Sequence, residues 1–346
     1  MFLIREAEPR DVENLYHLAG VQNFINLPHD RGALTKKVAR SVASFRSRQV
    51  NPAAAEYMFV LEDTEKKRLI GTSMIIGQHG TPEEPHTYFE VLTKKKVSKS
   101  IHVGFLHQVL RLGFDYNGPS EIGGLVLLPE YRGRPEKLGK LLSFARFVYM
   151  AARRPQFRNE VLSELMPPFN DKGESPIWEE IGRKFTNLRY IEADRISRRN
   201  KEFITSLFPE GDIYTCMLSA EAREAIGQVS QDTQPVKKML EHIGFSYRQM
   251  IDPFDGGPHY WAKTDKIEPV RKTRRMKVGK VSARSKTPDR KHLSRGILMT
   301  LSKKGVRAAY MELQLKGHNE LVPEASIVEA MNLEDNTEVY FLGVEL

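Results

Sequence analysis

The sequence predicts an α/β fold with a mixed sheet, organised as two related lobes and followed by a small β-rich C-terminal region. Two observations lead to this prediction. Residues 121–152 read as a buried strand, a turn and a long amphipathic helix, a unit typical of sheets that are covered by helices. Two phrases, SPIWEEIGRKF at 175–185 and QPVKKMLEHIGF at 234–245, each start a helix at a proline and close on Ile-Gly, which favours an internal repeat.

The individual elements follow from hydrophobic spacing and from turn and cap residues. Before residue 121 they are a strand at 2–5, a helix opening at Pro9 and Asp11, a second helix after Pro28, and a hairpin of strands at 57–61 and 69–76. After residue 152 they are a strand at 161–165, helices starting at Ser175, Ser219 and Pro235, a strand at 245–251, strands at 297–301, 306–313 and 338–344, and a short helix near 323–331. Trp178 and Phe185, at helical spacing, are predicted core residues.

The unit at 121–152 has the features of a phosphate site. Pro129 ends the apolar strand, and Leu138 begins the helical repeat. The connection and the start of the helix contain small and cationic residues, namely Arg132, Gly133, Arg134, Gly139 and Lys140. The amino end of a helix offers N–H groups and the positive end of its dipole, both of which favour phosphate. We therefore expect a phosphate-bearing cofactor whose reactive group lies along the strand.

The composition is that of an ordinary globular protein. The 346 residues, 40% hydrophobic and 28% charged, are enough for two or three domains. Cys216 is the only cysteine, which excludes an intrachain disulfide and a cysteine-rich metal site and fits a reducing cytoplasm. No signal peptide and no run of about eighteen apolar residues is present. We expect a cytoplasmic protein with no membrane partner and, because no metal-ligand spacing is present, no metal.

The positive charge is concentrated in one segment. Residues 271–295 hold eleven basic residues and one acidic residue, a net charge of +10, against +9 for the whole chain, so the remainder is nearly neutral. This segment has no aromatic residues, which single-strand binders use for base stacking. A solvated linker is the favoured interpretation and nucleic acid is not an expected partner. Contact with a polyanion or a partner is the alternative.

These observations predict four parts in the chain. Residues 1–120 form the first half of the main fold, and residues 121–265 form the cofactor-binding half and the second lobe. Residues 266–295 form a basic linker, and residues 296–346 form a small β-rich domain.

The order of elements, with the cofactor loop after the fourth strand of the main fold, resembles the GNAT acyltransferase fold. Several phrases are similar to the arginine N-succinyltransferase family. They are YMFVLED (57–63), the unit at 121–152, DKGESPIWEEIGRKF (171–185), KEFITSLFP (201–209), IYTCMLSAEAREAIGQV (213–229) and GFSYRQMIDPFDGGP (244–258). The resemblance covers roughly residues 1–275, and it implies succinyl transfer from succinyl-CoA, or transfer from another acyl-CoA, to the α-amine of arginine or a related amino acid.

The resemblance also implies roles for individual residues. Leu125, with Val126 and Leu127 beside it, would orient the thioester. The phosphate contacts would come from Arg132, Gly133, Gly139 and Lys140. Glu164 would help place the acceptor. Glu90 and Asp255, the latter the acid of the family's Asp-Gly/Ala-Gly-Pro turn, are the predicted substrate residues, because carboxylates pair well with a guanidinium.

Two positions depart from the family pattern. Ser230 stands where the family has its proton-donor histidine, and Glu90 stands where it has an arginine. Further departures fall at Met166–Pro167 and Ile25–Asn26.

Direct attack of an amine on a thioester needs no covalent enzyme intermediate, and positioning of the two reactants contributes about 7–11 kcal/mol. A general acid or base contributes about 10²–10⁴-fold, so the loss of the histidine predicts a slower enzyme rather than an inert one.

Two alternatives remain open. A divergent paralogue would acylate a different amine or use another acyl-CoA. A non-catalytic relative would bind a polyanion through residues 271–295. For the enzyme, the expected partners are a small amine substrate and further copies of the same chain in a homo-oligomer.

Overall fold

The structure is a computed structural model that describes residues 1–20, 27–47, 51–197, 201–279, 293–302, 305–317, 319–323 and 325–346. The family departure at Ile25–Asn26 and residues 280–292 of the basic segment lie outside this part of the chain. None of the helices in the described ranges is long and apolar enough to cross a bilayer.

The described residues form fifteen strands and eleven α-helices. The strands are β1 (Phe2–Glu6), β2 (Glu56–Asp63), β3 (Arg68–Ile76), β4 (His86–Ser98), β5 (Val103–Asp115), β6 (Ser120–Leu127), β7 (Glu160–Glu164), β8 (Ile213–Tyr214), β9 (Ser246–Ile251), β10 (Pro258–Lys263), β11 (Arg274–Val278), β12 (Leu293–Ser302), β13 (Gly305–Lys316), β14 (Glu320–Val322) and β15 (Glu338–Gly343). The helices are α1 (Val12–Ala19), α2 (Arg31–Arg46), α3 (Leu138–Ala152), α4 (Pro176–Glu180), α5 (Gly182–Thr186), α6 (Tyr190–Ser197), α7 (Glu202–Leu207), α8 (Ala220–Ala225), α9 (Gln234–His242), α10 (Glu268–Lys272) and α11 (Ala325–Met331).

The chain divides into two compact units. Unit 1 contains Met1–Gly77, Ser120–Asn159 and Thr264–Leu346, and unit 2 contains Gln78–Pro119 and Glu160–Lys263. Both units are discontinuous in sequence. The chain passes between the units after Pro119 and after Lys263, within two residues of the predicted boundaries at 120 and 265, and also after Gly77 and Asn159, which were not predicted. No change of unit falls at the predicted boundary at 295.

The sheet of unit 1 has the order β12-β15-β11-β14-β13-β1-β2-β3-β6. Strands β12 and β13 also pair with each other, so β11 to β15 close into a five-stranded barrel. Met276 and Val278 of β11 face the core of this barrel. The first part of the predicted basic linker therefore forms helix α10 and strand β11, and the predicted separate C-terminal domain is part of unit 1.

The helix α3 is central to unit 1. Eleven of its fifteen residues are buried, and it packs against β3 and β6. Tyr149 of α3 joins Phe45, Tyr57 and Phe59 in an aromatic group whose ring centroids lie 5.1–5.4 Å apart. Aromatic pairs favour such tilted, edge-on contacts, so this group fixes α3 against the sheet.

The sheet of unit 2 has the order β7-β10-β9-β4-β5-β8 and is antiparallel throughout. Its core surrounds Trp178, which is fully buried, as predicted. The predicted helix 175–185 is interrupted at Ile181, and Phe185 is 44% exposed rather than a core residue. The two phrases that suggested related lobes are both in unit 2, so their similarity does not relate one unit to the other.

Candidate active site

A β-bulge interrupts β6 at the predicted thioester contact. Thr72 of β3 faces Val126, and Met74 faces Gly123, so one residue of β3 lies opposite two residues, Gly124 and Leu125. Gly124 has a φ of +56°, and a Cβ at this position would come within 3.1 Å of the Met74 side chain. Such bulges re-aim the backbone and are common beside active sites. The regular ladder is therefore broken where the resemblance placed the acyl group.

A buried arginine supports the bulge from α3. Arg146 donates from Nη1 to the Gly123 carbonyl at 3.3 Å and from Nη2 to the Ser143 hydroxyl at 2.8 Å. Burial lowers the pKa of Arg146 to about 9, which still leaves the guanidinium protonated at neutral pH. Arg146 was not among the predicted site residues, and the signal for it in the sequence is a cation in the middle of a mostly apolar helix.

The loop after β6 leads into the amino end of α3. Arg132 is exposed, and its Nε donates to the Leu127 carbonyl at 2.9 Å. A Cβ placed on Gly133 or Gly139 would meet no atom within 4 Å. Lys137 begins the helix in the left-handed region, at a φ of +49°, and no side chain caps the first turn. Open glycines beside an uncapped helix terminus suit a phosphate group.

Two of the four cations between residues 132 and 140 have protein partners. Lys140 donates from Nζ to the Glu345 carbonyl at 2.9 Å. Arg134 pairs with Glu136 at 3.0 Å and lies over the ring of Tyr131. Arg132 is therefore the loop cation that is best placed to meet a ligand, with Lys140 on the first turn of α3.

In unit 2, Glu164 lies within a group of histidines. The Glu164 Oε1 atom is 3.6 Å from His259 Nε2 and 4.0 Å from His86 Nδ1. His259 is opposite Glu164 in the pairing of β7 with β10. The exposed fractions of His86 and His259 are 1% and 0%, while the Glu164 side chain is 26% exposed. His79 and Asp252 lie within the same short range of Glu164.

Burial controls the ionisation of this region. It lowers the pKa of His86 well below the usual range, and the nearby imidazoles and the Lys201 ammonium lower it further. Burial also raises the pKa of both Asp252 and Asp255, and the Asp252 carboxylate raises that of Asp255 again. The sequence gives no local signal for the histidine group, because its members are far apart along the chain.

The predicted substrate residue Asp255 forms a turn. Its Oδ1 atom accepts from the Gly257 amide at 2.8 Å, and Asp252 Oδ1 accepts from the Phe254 amide at 2.6 Å. Gly256 within this turn has a φ of +80°. These contacts give both acids a structural role in holding the turn before β10.

The predicted catalytic Ser230 caps a short turn. Its hydroxyl donates to Thr233 Oγ1 at 2.9 Å, and its amide donates to the Met166 carbonyl at 2.9 Å. Met166 is two residues beyond Glu164, so Ser230 is tied to the end of β7. The predicted Glu90 lies on β4, opposite Arg111 of β5. The contacts of Glu90 along the sheet are thus with β5 and β9, rather than with the histidine group.

Residues 2–269 match the family model described as arginine N-succinyltransferase beta subunit. The chain is 34% identical over 281 residues to an arginine N-succinyltransferase of Yersinia pseudotuberculosis, with 80% of this chain and 79% of that protein covered. It is 36% identical over 281 residues to one of Citrobacter koseri, with 80% of each covered. A solved structure of arginine/ornithine succinyltransferase subunit AI from Pseudomonas aeruginosa matches 100% of this chain and 99% of that one, with a TM-score of 0.85 and 26% identity.

Proposed function

Because this chain belongs to the arginine N-succinyltransferase family, we propose that it transfers a succinyl group from succinyl-CoA to the α-amine of arginine. The match over the full chain confirms the predicted GNAT-like α/β fold class. The observation that best supports the activity is the bulge at Gly124 and Leu125, followed by a glycine-containing loop and an uncapped helix terminus. An acyl-CoA requires this order, because its thioester and its diphosphate are at opposite ends of the pantetheine arm.

The donor is held by unit 1. The Leu125 backbone, followed by Val126 and Leu127, orients the thioester carbonyl along β6. Arg132 and Lys140 supply charge to the diphosphate, and the absence of side chains at Gly133 and Gly139 lets it approach the backbone. Backbone donors aimed at a developing oxyanion contribute strongly to acyl transfer, because they are already in place when the charge forms.

A carboxylate suits the cationic acceptor. Glu164, on the rim of the histidine group, is accessible and pairs with a cationic part of arginine. The amine loses its proton before or during attack, and the sulfur of coenzyme A leaves as the thiol or thiolate. Ser230 is the group at the family's proton-transfer position, but a serine is a poor base unaided. Positioning of the two substrates therefore carries most of the rate enhancement.

A second candidate is the same reaction with another acyl-CoA or another amine. Glu90 favours it, because an acid at a position where the family has an arginine does not attract a succinyl carboxylate. Glu90 lies on β4 next to Arg111, which is already paired with Asp212 at 2.8 Å. The choice between the two candidates is a question of substrate, not of reaction.

The activity is tested by thiol release with succinyl-CoA or acetyl-CoA as donor and arginine or ornithine as acceptor. We expect turnover to be highest with succinyl-CoA and arginine. Arg132→Ala removes one contact with the diphosphate, and we expect it to raise the KM for the acyl-CoA about 5- to 20-fold with a smaller change in kcat. Lys36→Ala, which removes an exposed positive charge from α2, is the matched control.

Two results would count against this proposal. Turnover with acetyl-CoA alone would favour the second candidate. Failure of every acyl-CoA to bind, measured by calorimetry, would remove the enzymatic function altogether.

We also propose that the protein forms a homo-oligomer through the tip of the β4–β5 hairpin. The large apolar side chains there are exposed, namely Val97 (64%), Ile101 (68%), Val103 (37%), Phe105 (58%) and Leu106 (73%). Val97 and Leu106 lie on one face of the hairpin and Val103 and Phe105 on the other, because side chains alternate along a strand. Exposed apolar side chains that are clustered in this way are typical of association sites. The double substitution Phe105→Ser and Leu106→Ser is expected to reduce the mass measured by light scattering to that of a single chain. An unchanged oligomer, or a wild-type monomer, would refute the proposal.

A cytoplasmic location completes the proposal. The thiol of Cys216 is free and exposed. An exposed thiol of this kind persists in a reducing compartment, where disulfide exchange is suppressed.

A further inference from the structure

Unit 2 contains a compact set of imidazole and carboxylate groups around Glu164, the residue that we propose for acceptor binding. The ligand atoms of His79, His86 and Glu164 all lie within 4.8 Å of one another. They come from three separate places in the chain: the segment before β4, the first residue of β4 and the last residue of β7. We propose that these three side chains bind one divalent transition-metal ion of the zinc class.

His86 is the strongest argument for a ligand at this point. Its side chain is 1% exposed, and neither of its ring nitrogens has a hydrogen-bond partner among the described residues. A buried polar group without a partner costs about 1–3 kcal/mol. A metal bound to one nitrogen of His86 removes that cost in the folded protein.

The distances fit shared coordination better than hydrogen bonding. The 4.0 Å between His86 Nδ1 and Glu164 Oε1 is too long for a hydrogen bond. Two ligands bound at about 2.0–2.1 Å to one tetrahedral zinc ion lie about 3.4 Å apart. The two atoms therefore need to approach by roughly half an ångström to share an ion, which small side-chain rotations supply. The rings of His79 and His86 are already close, with centroids 4.6 Å apart.

The donor set selects the class of metal. Imidazole nitrogens suit zinc, copper, iron and nickel, whereas magnesium and calcium prefer oxygen ligands. Two histidines and a glutamate also leave a fourth position for water, as in catalytic zinc sites. The Glu164 side chain is 26% exposed, so an ion would reach the site from solvent on the side of Glu164.

A second set, formed by Glu164, Asp252 and His259, shares the same carboxylate. Asp252 Oδ1 already accepts from two backbone amides, those of Phe254 and Asp255. These bonds hold the Asp252 carboxylate in its turn. We therefore assign the ion to the set that contains His86. The ion and the acceptor would share the Glu164 carboxylate, so only a test that reads metal binding by itself separates this assignment from the proposed acyl transfer.

The experiment is a calorimetric titration of Zn²⁺ into the full-length, tag-free protein after treatment with a chelator. We expect one site per chain, and a rise in melting temperature of about 4–8 °C at a hundredfold excess over Kd. His79→Gln and His86→Gln should each weaken binding at least about tenfold, because even the loss of an outer-shell partner costs 10- to 100-fold. His242→Gln, on the surface of α9, is the matched control and should bind like the wild type.

Cobalt provides a second readout that does not depend on the stability of any variant. Co²⁺ bound in the proposed site should give ligand-field absorption without the thiolate charge-transfer band that Cys216 would produce. Absence of a stoichiometric site in the wild type would overturn the proposal. Binding that survives both His79→Gln and His86→Gln, or that is lost only in His259→Gln, would overturn it as well. Acyl transfer activity is not read in this experiment, so its failure and that of the proposed function remain distinguishable.

Discussion

Replacing Gly124 with valine is expected to lower kcat/KM for succinyl transfer by about 10²–10³, the usual effect of losing one oxyanion-hole donor. Gly124 has a φ of +56°, and a side chain there would lie 3.1 Å from the Met74 sulfur. A β-branched residue at positive φ costs about 1–3 kcal/mol. The bulge therefore has to change its backbone, which moves the Leu125 donor away from the thioester carbonyl.

The same variant should still bind coenzyme A with an affinity within about threefold of the wild type, because the contacts of Arg132 with the diphosphate remain. Rates are measured by thiol release, and binding is measured by calorimetry. Gly104→Ala is the control, because it also adds a methyl group to a strand glycine but meets only ordinary contacts at 3.7 Å. A Gly124→Val enzyme with the wild-type kcat/KM would show that the bulge has no part in catalysis.

Truncation of Trp178 to alanine is expected to destabilise unit 2 by about 3–5 kcal/mol. The Trp178 ring is fully buried and stacks on Phe254 at a centroid distance of 5.0 Å. Its Nε1 donates to the Leu188 carbonyl at 2.9 Å, and the truncation leaves this acceptor without that bond. Unfolding in urea, followed by far-UV circular dichroism, measures the loss. Trp178→Phe, which keeps the stacking but not the donor, should lose less than half as much.

A double-mutant cycle makes this prediction specific. A Cβ at Gly182 would lie 2.2 Å from Trp178 Cε3, so Gly182→Ala is destabilising in the wild type. In the Trp178→Ala background that clash is gone, and the alanine should be neutral or stabilising because of its helix propensity. Equal costs of Gly182→Ala in both backgrounds would contradict the packing described for this core.

The strand, loop and helix that we propose for donor binding could be predicted from the sequence because their signals are local. The strand, the loop and the helix follow one another directly in the sequence. In the structure, Leu125 lies on β6, Arg132 in the loop and Gly139 on α3, as predicted. The bulge itself could not be predicted, because it depends on the register of β6 against β3. Glycine pairs such as Gly123–Gly124 permit a bulge but do not require one.

The histidine group and the barrel could not be predicted because both depend on pairing between distant segments. His86 and His259 are brought beside Glu164 by β7, β10 and the start of β4. Strand β11 has the sequence RRMKV, in which only Met276 and Val278 face the core. Because the other three residues are cations, the segment has the composition of a linker. It is recognisable as a strand only from its pairing with β14 and β15.

The pairing of β1 with β13 has a consequence for biosynthesis. Ile4 and Arg5 pair with Ala308 and Arg307, which the ribosome adds about 300 residues later. Synthesis proceeds at about 5–20 residues per second, so one edge of β1 remains unpaired for on the order of 15–60 s until β13 is made. An unpaired edge strand is a template for pairing with other chains. Because slower synthesis lengthens this interval, a supply of chaperone during synthesis, rather than slower expression, is expected to raise the yield of folded protein.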